Sequence, residues 1–528
     1  MSPKPPTHKP TDSHSEPPGQ QNAATVSIGI VAHGDDAEAL RVPKPFAAGQ
    51  PVVGCLAGED CIEPASARNN GKKEHRRISS REIWALTWPQ ALMMLFQFLV
   101  GMTDVVVAGE IDSNVQAALG IINQCQFFLL VFGFAVVNGG VTAMSQSMGA
   151  DKALRAERYI GLLFKLVGGI CLLILLAGYI FREALFTALQ VPGEIFSLTL
   201  DLWLFTLWLI PCGFLNALTA GVFRSRKNVL VPLLSGIIVC IVNTLGDLGL
   251  GLGWFGMPEL GGRGLVLASI LSMGMGGLFT LGVLIRRGIV SRRSFAPWAW
   301  ERRALPYIVK VALPAGGTQV LWQLGYMVLF LITNTLPSDR VASTAGLTVG
   351  LRVESILFMP AWAFSMTGTI LVGHCLGMGD RGEARRVGLR VAGAGALSMS
   401  LVALLILPWV REITAFVAPD PAVQAVAVQY ILFNIAATPF TVTSMIMSGI
   451  FTGAGATVYT LVVFTVSTWL VRLPLAWYMG HIFWREASGI FLAMLVSQVV
   501  QASFAFYIFL RRDWYRFALG AKRFTKDR

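Results

Sequence analysis

Apolar residues in this chain fall into long runs separated by short polar breaks, and the runs dictate the architecture. Crossing a hydrocarbon core by helix takes about twenty predominantly apolar residues. Twelve segments meet that length: 83–108, 116–143, 159–181, 195–223, 229–252, 263–285, 307–336, 341–371, 387–410, 423–452, 457–480 and 488–510. Several exceed what a core of about 30 Å requires, which permits tilt without fixing an angle.

The polar breaks supply the orientation. With the N-terminus inside, the inner flanks and loops hold Lys72, Lys73, Arg76, Arg77, Arg81, Lys152, Arg155, Arg158, Arg224, Arg226 and Lys227. They also hold the arginines at 286, 287, 292, 293, 302, 303, 381, 385 and 386, together with Lys310 and a basic C-terminus. The outer loops hold only Arg182, Arg263, Arg340, Arg411 and Arg485. This asymmetry satisfies the positive-inside rule. Both termini are expected in the cytoplasm, with the chain in the inner (plasma) membrane.

Composition agrees with the pattern. The chain has 528 residues, 54% hydrophobic and 14% charged, with a mean hydropathy of +0.61. Soluble proteins carry roughly 25% charged residues. The net charge of +12 follows from the loop bias and requires no nucleic-acid partner. The opening stretch, MSPKPPTHKPTDSHSEPPGQQ, cannot bury enough apolar surface to order itself, and it lacks the apolar core of a signal peptide. Residues 1–78 are therefore expected to be a disordered cytoplasmic tail, with a start codon assigned too far upstream as the alternative. Residues 79–290 and 291–512 are expected as two six-helix lobes, and 513–528 as a basic cytoplasmic tail. Of seven cysteines, Cys55 and Cys61 lie in the tail without metal-site partners, so neither a disulfide framework nor a zinc site is expected.

The halves repeat. SQSMGADKALRAERYIG from Ser145 resembles GHCLGMGDRGEARRVG from Gly373, with Gln146 set against His374 at an offset of 228. GVFRSRKN from Gly221 and GIFTGAGA from Gly449 share that offset, and Pro89 echoes Pro314 at 225. Six spans per half make both repeats enter from the same side, related by an axis along the membrane normal. Pro89 and Pro314 are candidate helix kinks. The plan points to an all-α, polytopic membrane protein of twelve transmembrane helices in two pseudo-symmetric six-helix bundles. Cargo would bind near the midplane between them and cross by alternating access.

Ionisable residues inside the spans are few. A carboxylate at the bilayer centre costs about 2.5–3.5 kcal/mol on insertion scales. Asp104 lies in the first span; Asn243 and Asp247 share one helix face in the fifth. Two carboxylates and an amide oxygen could coordinate Na⁺, or the carboxylates could share a proton. The plainer reading is one structural hydrogen bond for each Asp. Glu354 is a possible second coupling carboxylate. Arg352, two residues away, faces elsewhere, and it and Arg472 are expected as structural polar groups. Lys165, His374, Arg390 and Asp201 are expected at the interfaces. Trp322, Tyr326, Phe358 and Trp362 could line an apolar cavity for a cationic compound.

With these residues in place, the chain resembles the multidrug and toxin extrusion (MATE) family over about 80–512. The resemblance rests on the first helix from Pro89 to TDVVVAGEI, the SQSMGA segment with its partner VGHCLGMGD, GIFTGAGAT, and VRLPLAW. It implies a V-shaped pair of bundles performing drug/H⁺ or drug/Na⁺ antiport. It also implies a first-lobe cation site of the DinF-like prokaryotic branch at Asp104, Asn243 and Asp247, with Ser269 where that branch usually has Thr. Spans seven and ten lack the carboxylates of other branches. The expected activity is export of amphipathic, cationic organic compounds by a monomer, with no cofactor beyond the coupling ion. A flippase for a lipid-linked precursor, or a metabolite exporter of the same superfamily, is the alternative; a flippase should show basic residues in its central cavity. An enzyme would need a catalytic cluster, and six histidines in no such cluster do not supply one.

Overall fold

In the computed structural model, residues 77–337, 339–418 and 420–520 are described, and all regular structure among them is helical. Residues 1–76 and 521–528 lie outside the described residues, as do Cys55, Cys61, most of the expected N-terminal tail and half of the expected C-terminal one.

Twelve long helices carry the fold, and they track the apolar runs. The first half comprises α1 (Ser80–Ile111), α2 (Ser113–Gly149), α3 (Ala153–Ile180), α4 (Gly193–Ser225), α5 (Leu230–Gly251) and α6 (Gly262–Arg286). The second comprises α7 (Trp298–Asn334), α8 (Arg340–Met378), α9 (Arg381–Val417), α10 (Pro421–Gly453), α11 (Thr457–Phe483) and α12 (Ala487–Arg511). Most helices overrun the apolar segment by several residues, because a helix end that reaches water can keep its hydrogen bonds while its side chains turn polar. The starts are capped by short polar side chains. Asp112 Oδ1 accepts from the Asn114 N–H at 3.0 Å, and Asp380 Oδ1 accepts from Glu383 at 2.8 Å.

Pro89 and Pro314 sit inside helices that run on through them. The largest bend lies elsewhere: α8 turns by 47° between its segments Arg340–Ile356 and Phe358–Met378. Pro360 explains it, since a proline ring clashes with the carbonyl four residues earlier and removes one backbone bond.

The two halves are joined at the end of the bundle where the described chain begins, near Ile78, and ends, near Leu519. The duplicated motif makes the junction, and makes it twice. Gln146 on α2 donates from Nε2 to the Gly453 carbonyl at 2.8 Å; its repeat partner His374 on α8 lies 2.8 Å from the Ser225 carbonyl through Nε2. Ser225 and Gly453 are themselves 228 residues apart, so the bonds are related by the internal pseudo-symmetry. The glycines obey the same rule. A Cβ on Gly149 would lie 2.1 Å from the His374 carbonyl oxygen, and one on Gly377 would lie 2.2 Å from that of Gln146. Only glycine lets α2 and α8 approach so closely.

Further bonds reinforce this end. Thr87 and Thr367 hydroxyls meet at 3.0 Å, and Gln90 donates to Thr367 at 3.1 Å. Thr142 donates to the Thr452 carbonyl at 3.0 Å. Ile78, expected to end a disordered tail, is buried and pinned to α9: its N–H donates to Glu383 and its carbonyl accepts from Arg390. The start of the expected C-terminal tail is also anchored. Trp514 is fully buried, and the Leu519 N–H donates to Gln146 Oε1 at 2.7 Å, which Tyr307 also reaches at 3.1 Å. At the opposite end, no hydrogen bond or ion pair links the halves among the described residues. The V-shaped, two-bundle arrangement follows.

Gly377→Val should therefore force α2 and α8 apart. Overpacking of a tight contact costs about 1–3 kcal/mol, so a melting temperature several degrees below wild type is expected in detergent. A variant melting like wild type would show that the contact does not hold the halves together.

Candidate functional site

α1, α5 and α6 bring the sequence-predicted residues of the first half together. Asn243 and Asp247 are fully buried, one turn apart on α5. Asn243 donates from Nδ2 to Asp247 Oδ2 at 2.6 Å and to Asp104 Oδ1, across on α1, at 2.9 Å. The amide oxygen accepts from Ser272 at 3.1 Å, with the Ser269 hydroxyl at 3.4 Å. One amide thus bridges two carboxylates and is held from behind by hydroxyls.

The backbone permits this depth. From Asp247 to Gly251 the chain widens into a π-helical turn, a feature frequent at functional sites. Here α5 and α6 touch: a Cβ on Gly264 would lie 2.1 Å from the Leu250 carbonyl oxygen. Asp247 Oδ1 is buried without a hydrogen-bond partner, so the site retains one unused carboxylate oxygen.

One detail differs from the sequence expectation. The Asn243 group facing the carboxylates is the NH₂, not the oxygen, because the serines on α6 claim the oxygen. Ser272 was not singled out beforehand; its signal is the i, i+3 spacing from Ser269, which puts two hydroxyls on one face.

The second half holds a separate polar cluster around a cavity of about 610 Å³. Glu354 on α8 accepts a short hydrogen bond from Tyr430 of α10. Arg472, 3% exposed, donates from Nε to Ser497 at 2.8 Å, and it lines the same cavity as Glu354. Gln501 links Ser467 and Ser444 at 3.2 and 3.3 Å. Trp322, Tyr326, Phe358 and Trp362 all line this cavity, the first two with ring centroids 4.8 Å apart. Arg352 is exposed and does not join them. Of the groups expected at interfaces, Asp201 takes a bidentate pair with Arg263 at 2.6 and 2.9 Å, and Lys165 reaches Glu301 at 2.7 Å.

A smaller cavity of about 200 Å³ adjoins the first, sharing Phe127, Thr318, Gln319, Trp362 and Ser365 with it, and lies between the halves. Arg224 lines it. The sequence places Arg224 among the cytoplasmic loop charges; the structure instead puts it in the interlobe cavity, because α4 extends to Ser225 and α8 packs over its end.

Two six-helix bundles joined at one end, with cavities between and within them and carboxylates held inside the spans, have the form of a multi-pass membrane transporter. The MatE family model matches residues 89–248 and 314–478, and the chain belongs to that family. Among curated relatives, a probable multidrug resistance protein NorM of Thermotoga maritima is 24% identical over 473 residues, covering 87% of this chain and 98% of its own. The multidrug resistance protein PmpM of Pseudomonas aeruginosa is 27% identical over 440 residues, covering 78% and 87%. Among solved structures, the Vibrio cholerae MATE transporter VcmN, in a mutant form, superposes with a TM-score of 0.76 at 20% identity, covering 82% of this chain and 98% of its own. A multidrug resistance MATE transporter of the MOP superfamily, described as outward-facing, gives 0.76 at 18%, covering 82% and 95%.

Asn243→Ala should leave Asp104 and Asp247 without their shared donor, whereas Ser272→Ala removes only one bond behind the amide. Stranding a buried polar group costs about 1–3 kcal/mol. Cargo transport by purified, reconstituted protein should fall at least tenfold in Asn243→Ala and by less in Ser272→Ala. Equal losses would contradict the bridging role.

Proposed function

We propose that this chain exports amphipathic organic compounds across the inner membrane, as a monomer with both termini in the cytoplasm, in exchange for protons bound at Asp104 and Asp247. The observation that carries this reading is the Asn243 bridge. Two carboxylates converge on one amide deep in an apolar helix bundle, and one carboxylate oxygen is left unused. Such a pair holds a proton readily, since like charges held close cannot both ionise cheaply.

The orientation of the amide favours H⁺ over Na⁺. A hard cation needs oxygen ligands, and an NH₂ group offers only donors. Binding Na⁺ through the amide oxygen would require the Asn243 amide to turn, its NH₂ then donating to the Ser269 and Ser272 hydroxyls.

Alternating access supplies the cycle. In the present state the terminal end is sealed by the paired Gln146 and His374 bonds. Protonation removes charge from the first half and changes how α1 and α5 pack, while cargo occupies the interlobe cavity. The aromatic wall suits flat, amphipathic cargo. The flippase alternative gains one observation, that Arg224 and Arg472 line two adjoining cavities. Glu354 in the same cavity, and a chamber walled by tryptophan rather than by further cations, favour the exporter.

The test is ethidium efflux from everted vesicles, with pH and Na⁺ gradients imposed separately. Wild type should export dye under the pH gradient alone, and Asp104→Asn and Asp247→Asn should each lose it while inserting normally. Export driven only by Na⁺ would refute proton coupling. Export surviving both substitutions would move the coupling site to Glu354.

A further inference from the structure

The small cavity between the halves sits on the internal pseudo-symmetry axis. Part of its lining comes in pairs 228 residues apart: Phe134 with Trp362, Asn138 with Met366, Val141 with Thr369, and Arg224 with Thr452. Three of these pairs exchange one neutral side chain for another. The fourth does not: the first half contributes a guanidinium where the second contributes a hydroxyl, so the floor of the cavity carries one unmatched positive charge.

No carboxylate answers that charge among the described residues. Arg224 reaches only the Met366 sulfur, from Nη1 at 3.2 Å, and its Nε is buried without a partner. A thioether is a weak acceptor and leaves a guanidinium with most of its donors unused. Elsewhere in the lining of the same cavity, the Thr460 hydroxyl is also buried and unpartnered. Asn138, Thr318 and Gln319 add further polar groups around the space. Arg472, in the adjoining cavity, has Glu354 in the same chamber, so it is Arg224 that stands without an opposite charge. A guanidinium presents a planar fork that fits a carboxylate in bidentate fashion.

We infer that Arg224 anchors an organic carboxylate of the cargo, with Thr460 as a supporting donor, so that the chain handles amphipaths bearing an acid group in preference to matched compounds lacking one. This rests on the export reading above and narrows its cargo class from amphipathic organic compounds to those carrying a carboxylate. The position suits the role. Arg224 is followed by Ser225, whose carbonyl faces His374 in the seal between the halves. An anion on Arg224 would therefore bind to the same end of α4 whose carbonyl makes the contact that must break for access to alternate.

A matched dye pair tests this. Rhodamine 6G is an ethyl ester and a monocation; rhodamine 19 is the corresponding free acid, a zwitterion with the same ring system. Uptake of each would be measured in proteoliposomes with a pH or Na⁺ gradient, for wild type, Arg224→Gln and Arg224→Lys, with insertion checked by monodispersity of the purified protein. Arg224→Gln should raise KM for rhodamine 19 about tenfold more than KM for rhodamine 6G, equivalent to about 1.4 kcal/mol. Arg224→Lys should recover part of the loss. Equal effects on both dyes, or none on either, would overturn the inference. If replacing chloride by isethionate shifts both dyes, and Arg224→Gln abolishes that shift, the site holds a free halide and the cargo assignment is wrong. Failure of wild type to move either dye under any gradient would instead strike the export reading itself.

Discussion

The close approach of α2 and α8 is the constraint on which the rest of the structure depends. Backbone meets backbone there because Gly149 and Gly377 carry no Cβ, and each faces the carbonyl of the residue that makes the reciprocal hydrogen bond. Duplication makes the contact self-complementary: one motif, used twice, builds both sides. Such a junction is strong enough to define a closed end yet contains few charges, and hydrogen bonds between neutral groups net only about 1 kcal/mol each. It can open when another part of the protein changes its balance.

The Asp104–Asn243–Asp247 bridge is well placed to change that balance. It ties α1 to α5, and α1 also carries Thr87 and Gln90, whose bonds to Thr367 belong to the seal. A change of charge at Asp104 thus acts on a helix that contributes to both places. The pseudo-symmetry is broken where chemistry is needed: the carboxylate bridge lies in the first half, the larger chamber with Glu354 and Arg472 in the second. Two equal halves would give no preference for where ion and cargo sit.

Much of this was legible in the sequence. Twelve apolar runs became twelve helices, since a bilayer leaves a chain few other ways to satisfy its backbone. The i, i+4 spacing of Asn243 and Asp247 correctly put them on one face, and the four aromatics suggested for a cavity all line one. What could not be read was orientation and cover. Nothing in one dimension says that Ser272 and Ser269 take the amide oxygen and turn the NH₂ toward the carboxylates. Arg224 follows an apolar run and precedes Arg226 and Lys227, so hydropathy assigns it to a loop; only the packing of α8 encloses it. Its signal was present in the repeat, because position 452 of the aligned segment is a threonine where symmetry would ask for a second arginine. The bend of α8 was written at Pro360, yet the repeat drew attention to Pro89 and Pro314, whose helices continue with less disturbance.

The central claim is that the carboxylate pair on α1 and α5 holds the proton that cargo expels. Proton release on cargo binding by purified protein in weakly buffered detergent tests it most directly. Wild type should release about one proton per cargo bound, Asp247→Asn should bind cargo and release none, and added Na⁺ should leave the wild-type signal unchanged. Full release from Asp247→Asn, or its suppression by Na⁺ in wild type, would contradict the account.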